Sequence, residues 1–163
     1  MRKLFFTLLV IACSQTVCAQ VDTSLLYLRF PTVPPFKIIR LPDSTAFTKD
    51  SLVKKKATII IAFSPDCEHC RRETTELIAH IDLFKKAQII MTSPIEYGYI
   101  KQFYEEFKIA DYPNIIMGRD PGFYLGTFFK VRSYPSIFLY DKKGNFVQSF
   151  GGSDPVEKIA SLL

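Results

Sequence analysis

The sequence predicts an α/β fold built on a mixed sheet, and three observations carry that reading. Residues 57–63, Ala-Thr-Ile-Ile-Ile-Ala-Phe, form a near-continuous β-branched and apolar run, the mark of a strand buried on both faces. The segment behind it sets Leu77, Ile78, Ile81 and Phe84 at helical spacing with charges between them, as in an amphipathic helix lying on a sheet. Residues 136–150 then read as a strand, a tight turn at Asp141-Lys142-Lys143-Gly144, and a returning strand. Strand, helix, strand, helix, hairpin and last helix imply a parallel βαβ half and an antiparallel end.

The elements follow in order. Arg2 and Lys3 precede an apolar run over residues 4–12, and the stretch ends Val17-Cys18-Ala19. Residues 1–19 therefore read as a signal peptide cleaved after Ala19, with an apolar core shorter than the about 20 residues of a spanning helix. Val10-Ile11-Ala12-Cys13 also loosely resembles a bacterial lipoprotein box, in which case a lipid on Cys13 would tether the protein to a membrane. Either way the chain is expected to be exported, to a periplasm or beyond. Residues 20–35, with Pro31, Pro34 and Pro35, read as an extended N-terminal extension rather than a packed element. Residues 36–163 are expected to form one domain. Residues 36–41 read as its first strand, and Thr48 to Leu52 offer caps for a short helix. After the strand at 57–63, a helix over 71–86 leads to a strand at 88–92 and a helix at 97–107. Residues 114–117 suit a short strand or an irregular segment, and 124–129 a short helix. Ser153-Asp154-Pro155 opens the last helix.

Composition sets limits. Removing residues 1–19 leaves 163 − 19 = 144 residues, enough for one real core. With 48% hydrophobic and 23% charged residues, the chain is an ordinary soluble globule. The net charge of +5 falls to +3 without Arg2 and Lys3, too mild to argue for nucleic acid. Lys54-Lys55-Lys56 reads as a solvated turn before a strand.

The chemistry is concentrated in Cys67-Glu68-His69-Cys70, at the junction of the buried strand and its helix. Unpaired N–H groups and the macrodipole at a helix N-terminus favour a thiolate, the nucleophile of disulfide exchange. Two cysteines three positions apart make a poor structural staple, because the stabilisation from a cross-link grows with loop length and a tight bridge is easily strained. The pair reads as a working dithiol. Cys67, at the exposed end, is the nucleophile candidate, and Cys70, one turn inside the helix, is the resolving one. A protonated His69 would support the Cys67 thiolate, while Glu68 and Asp66 would oppose it.

These pieces resemble the thioredoxin superfamily. The matching residues are the strand-to-C-x-x-C junction over 59–70, the segment Val131-Arg132-Ser133-Tyr134-Pro135-Ser136 with its strand, and Gly144 in the hairpin. The export signal and N-terminal extension are most similar to exported thiol-disulfide oxidoreductases of the TlpA/ResA type. The resemblance implies a thioredoxin-like fold for residues 36–163, with a central mixed sheet flanked by helices. It also implies a cis-proline at Pro135 beside the cysteines, with Tyr134 lining a substrate groove. No cofactor is implied; the partners would be protein thiols and disulfides and an upstream redox protein. Two departures stand out. Asp66 replaces the aromatic common before the first cysteine, and Ile61 stands where thioredoxin carries a buried acid. Two rivals remain: a copper- or zinc-handling protein using Cys67, Cys70 and His69 or His80, and a module that only docks a partner.

Overall fold

A computed structural model describes residues 24–152 and 154–163. Residues 1–19, read above as a signal peptide and including Cys13, lie outside the described residues, as does Ser153. The first elements are α1 (Leu26–Arg29), β1 (Lys37–Arg40) and β2 (Ala46–Thr48), followed by a 3-10 turn at Lys49–Ser51. The central unit is β3 (Ala57–Ala62), α2 (Glu68–Ala79), β4 (Ala87–Ser93), α3 (Tyr97–Glu106) and β5 (Ile115–Arg119). The chain closes with α4 (Tyr124–Phe128), β6 (Ser136–Tyr140), β7 (Phe146–Gly151) and α5 (Val156–Ala160).

Seven strands form one sheet in the order β2-β1-β5-β4-β3-β6-β7. β3, β4 and β5 run parallel, while β6 and β7 are antiparallel, as the sequence pattern predicts. All six residues of β3 are buried because β4 and β6 flank it and layers cover both its faces. The two-residue period of the strand divides it. Ile59 and Ile61 join Leu77, Ile100, Phe103 and Ile159 under α2, α3 and α5. Ile60 joins Ile38, Leu125, Phe129 and Phe138 on the opposite face. No described helix is long and apolar enough to cross a membrane.

In three places the structure departs from the sequence reading. Residues 20–35 do not form an unpacked arm throughout their described part: Val33 is buried, and Tyr27 sets its ring 5.4 Å from Phe138 and 5.1 Å from Phe146. Those rings cover apolar surface that the sheet face would otherwise leave open. Residues 46–48 form a strand that the sequence pattern did not show, because Phe47 pairs with Ile38 and buries there, while the expected caps at Thr48 and Ser51 do close a short 3-10 helix behind it. The helix expected to run to residue 86 ends at Ala79, where the His80 N–H bonds to the Glu76 carbonyl at 3.1 Å, and a 3-10 turn Ile81–Phe84 carries Phe84 into the core.

Candidate active site

The site is built by the end of β3. The Phe63 N–H still bonds across to the Thr92 carbonyl at 3.0 Å, and Phe63 is fully buried against Phe103, ring centres 4.9 Å apart. The chain then turns through Ser64 and Pro65, closed by a Cys67 N–H to Ser64 carbonyl bond of 3.2 Å. Cys67 is the N-cap of α2 in extended conformation, and its Sγ accepts the Cys70 N–H at 3.2 Å. A sulfur thus fills the position that a serine or aspartate oxygen usually takes, receiving one of the orphan donors of the first turn.

Cys67 and Cys70 lie 2.9 Å apart and both are free. Their surroundings differ. Cys67 is half-exposed, whereas Cys70 is buried at 1% exposure. Burial pushes the Cys70 thiol far above the ordinary range, and its hydrogen bond with Cys67 pushes it the same way. The Cys67 thiol also donates to the Tyr134 carbonyl at 3.5 Å, across the Tyr134–Pro135 peptide, which is cis. Pro135 is buried and Tyr134 half-buried; burial, then the neighbouring Cys70, raises the phenol of Tyr134.

The spacer residues point outward. Asp66, Glu68 and His69 are exposed. His69 Nδ1 meets the Arg72 guanidinium at 2.5 Å. A guanidinium only donates, so Nδ1 is the acceptor, and that lone pair is directed to Arg72 rather than toward sulfur. Arg71 pairs with Glu106 and lies over the Phe103 and Phe107 rings, tying α2 to α3. His80 stands between Glu76 and Glu157, its Nε2 3.4 Å from the latter. Neither histidine is directed to the cysteines, and among the described residues no three His, Cys, Asp or Glu side chains gather as a metal cluster.

Glu73 is the residue that the sequence reading passed over. It lies one helical turn beyond Cys70, on the face of α2 that also buries Thr74 and Leu77. It is 8% exposed, and its carboxyl is raised from 4.5 to about 7 by burial first, then by the charges of Asp154 and Glu76. It borders a cavity of about 420 Å³ that Glu76, Asp154 and Glu157 also line. The available signal was positional: an acid three residues after Cys70 falls on the inward stripe of an amphipathic helix.

No protein-family model and no curated protein matches the sequence. Solved structures do. The thioredoxin domain of a thiol-disulfide oxidoreductase from Bacteroides vulgatus superposes with a TM-score of 0.63 at 21% identity, covering 80% of this chain and 94% of that one. A secreted disulfide oxidoreductase of Mycobacterium tuberculosis, homologous to DsbE of E. coli, gives 0.64 at 15% identity over 88% of this chain and 100% of its own. StoA from Bacillus subtilis gives 0.59 at 18% identity over 80% and 98%. The chain has a thioredoxin-like fold.

Within that thioredoxin-like fold, the residues brought together are Cys67, Cys70, Tyr134 and Pro135. Glu68 and His69 stay on the rim. Ile61, at the position of thioredoxin's buried acid, is packed in the core at 4% exposure, and the buried carboxyl nearest in sequence to the cysteines is that of Glu73 on α2. In open α/β sheets ligands sit outside the carboxyl ends of the parallel strands, and the free dithiol stands at such an end, where β3 gives way to α2.

Proposed function

We propose that this protein is an exported thiol-disulfide oxidoreductase that exchanges disulfides with protein substrates through Cys67 and Cys70. One observation carries the reading: two free thiols lie 2.9 Å apart, one half-exposed at a helix N-cap and the other buried behind it. That asymmetry assigns the steps. In the reductive direction the Cys67 thiolate attacks a substrate disulfide, forms a mixed disulfide and expels one substrate thiolate. The Cys70 N–H directed at Cys67 Sγ supports the negative charge that this sulfur carries before attack and again on release. Cys70 then loses its proton and attacks Cys67 Sγ. The substrate leaves as a dithiol, and the protein is left with a Cys67–Cys70 disulfide, two electrons poorer. An upstream dithiol protein restores it; run backwards, the same steps oxidise a substrate.

A thiol raised by burial needs a base. Glu73, titrating near 7 one turn away, is the candidate acceptor of the Cys70 proton. The Tyr134 carbonyl is the backbone group beside Cys67 that an extended substrate segment would meet. His69 and Glu68 would shape the rim that a partner touches. Residues 36–163 carry the thioredoxin-like domain with the described part of the preceding arm packed on it, and the signal peptide is taken as 1–19, with lipidation of Cys13 as the alternative processing. Export is further supported by the secreted character of the mycobacterial protein with the same fold.

Equilibration against glutathione tests the reading. The wild-type protein should titrate as one two-electron couple that disappears in both Cys67→Ser and Cys70→Ser. A protein that stays a dithiol at every ratio would leave the scaffold as a docking module only.

A further inference from the structure

A cavity of about 650 Å³ lies at the other end of β3 from the cysteines. Six lysines line it, Lys49, Lys54, Lys55, Lys56, Lys142 and Lys143, against one acid, Asp50. They come from three segments: the 3-10 turn after β2, the turn before β3, and the β6–β7 hairpin. The antiparallel register of β3 with β6, Thr58 opposite Tyr140, brings the last two turns to one edge of the sheet. None of the six ammonium groups has a carboxylate partner among the described residues. All are exposed except Lys56, which is half-buried, and Val53 on the same rim is 60% exposed. Lys55 holds a left-handed backbone, φ 60°, which a lysine adopts at a cost. Against these six lysines stand only Asp50 and, beside Lys143, Asp141, so positive charge is in excess and an anionic counterpart removes the repulsion among the lysines.

The floor of the cavity argues against a small anion. Gln88 Nε2 already donates to Thr58 Oγ1 at 3.0 Å and to the Val53 carbonyl at 3.1 Å, while its Oε1 accepts the Val53 N–H at 2.9 Å. No free donor of that amide is left to cradle a phosphate. What remains is a rim of lysines around an exposed valine, with Lys49 Nζ donating to the Val33 carbonyl and the others reaching outward, which suits a broad anionic surface. Thr32 and Val33 also line the cavity.

We propose that the six-lysine face docks the protein on a bilayer containing anionic phospholipid, with the dithiol facing away. The six residues of β3, at about 3.3 Å each, hold the two ends roughly 20 Å apart. The inference stands apart from the thiol chemistry. It is tested by floating the full chain with vesicles of phosphatidylcholine alone or with added phosphatidylglycerol. Binding should require the anionic lipid and weaken with salt. It should fall about tenfold or more in Lys142→Glu/Lys143→Glu and in Lys54→Gln/Lys55→Gln, at about fivefold per lysine. Circular dichroism and thiol content should match the wild type. Equal binding to both vesicle types would assign the contact to the leader instead. Unchanged binding in both double variants, or displacement by inorganic phosphate at constant ionic strength, would equally overturn the proposal.

Discussion

Cys67 and Cys70 differ by one helical turn, and that turn decides their chemistry. Cys67 caps α2 where a partner can reach it; Cys70 is sealed under the helix with a thiol that resists ionisation. Alkylation of the reduced protein should therefore modify Cys67 first, with Cys70 reacting only once the fold is opened; equal rates on peptide mass mapping would contradict the assignment. Glu73 makes a prediction of opposite kind. Its folded carboxyl titrates near 7 against an ordinary 4.5, so between those values the folded state holds a proton that the unfolded chain has lost. Stability is then full below pH 4.5 and falls as pH rises through 7, by up to about 3 kcal/mol at about 1.4 per pH unit. Glu73→Gln should remove that slope and raise stability at neutral pH in urea titrations. In the same variant, the pH profile of disulfide exchange should lose its inflection near 7. The pairing of the two cysteines was expected from their spacing together with the strand before them and the proline segment at 131–136, and the structure brings their sulfurs 2.9 Å apart. The direction of His69 was not, because Arg72, one turn on, competes for its ring nitrogen.

At the scale of elements, the periodicities did most of the work. β3, β4, α3, β6 and the β6–β7 turn appear within a residue or two of where alternation and helical spacing put them. The Thr48 and Ser51 caps were legible and close the 3-10 helix Lys49–Ser51, but β2 just before them was missed, since it rests on burial of Phe47 across from Ile38. Its partner β1 lies only nine residues upstream, but a three-residue strand is too short to show an alternation. The β1–β5 contact is tight. A Cβ on Gly118 would stand 2.8 Å from Ile38 Cδ1 and 2.9 Å from the Ile39 carbonyl. Gly118→Ala should lower stability by about 1–3 kcal/mol, because one obstacle is backbone and cannot rotate away. An unchanged midpoint in denaturant would show that β1 shifts freely.

Over the whole molecule, one sheet separates the dithiol from the lysine-lined cavity by its length. The carboxyl ends of the parallel strands hold the dithiol, and the opposite edge holds the lysines. The arm before β1 belongs to the folded unit rather than to a linker, since Tyr27 packs with Phe129, Phe138 and Phe146. Tyr27→Ala should cost about 2–4 kcal/mol and lower the thermal midpoint without altering thiol exchange. The prolines of residues 31–35 suggested an extended chain, and it is extended there; its packing depends on aromatic residues more than 100 positions away. The central claim is that Cys67 and Cys70 divide the work of exchange, and mixed-disulfide trapping addresses it most directly. In Cys70→Ser, incubation with a disulfide-bonded protein should accumulate a covalent adduct through Cys67 that added dithiothreitol releases. An adduct through Cys70 in Cys67→Ser, with none in Cys70→Ser, would contradict the account.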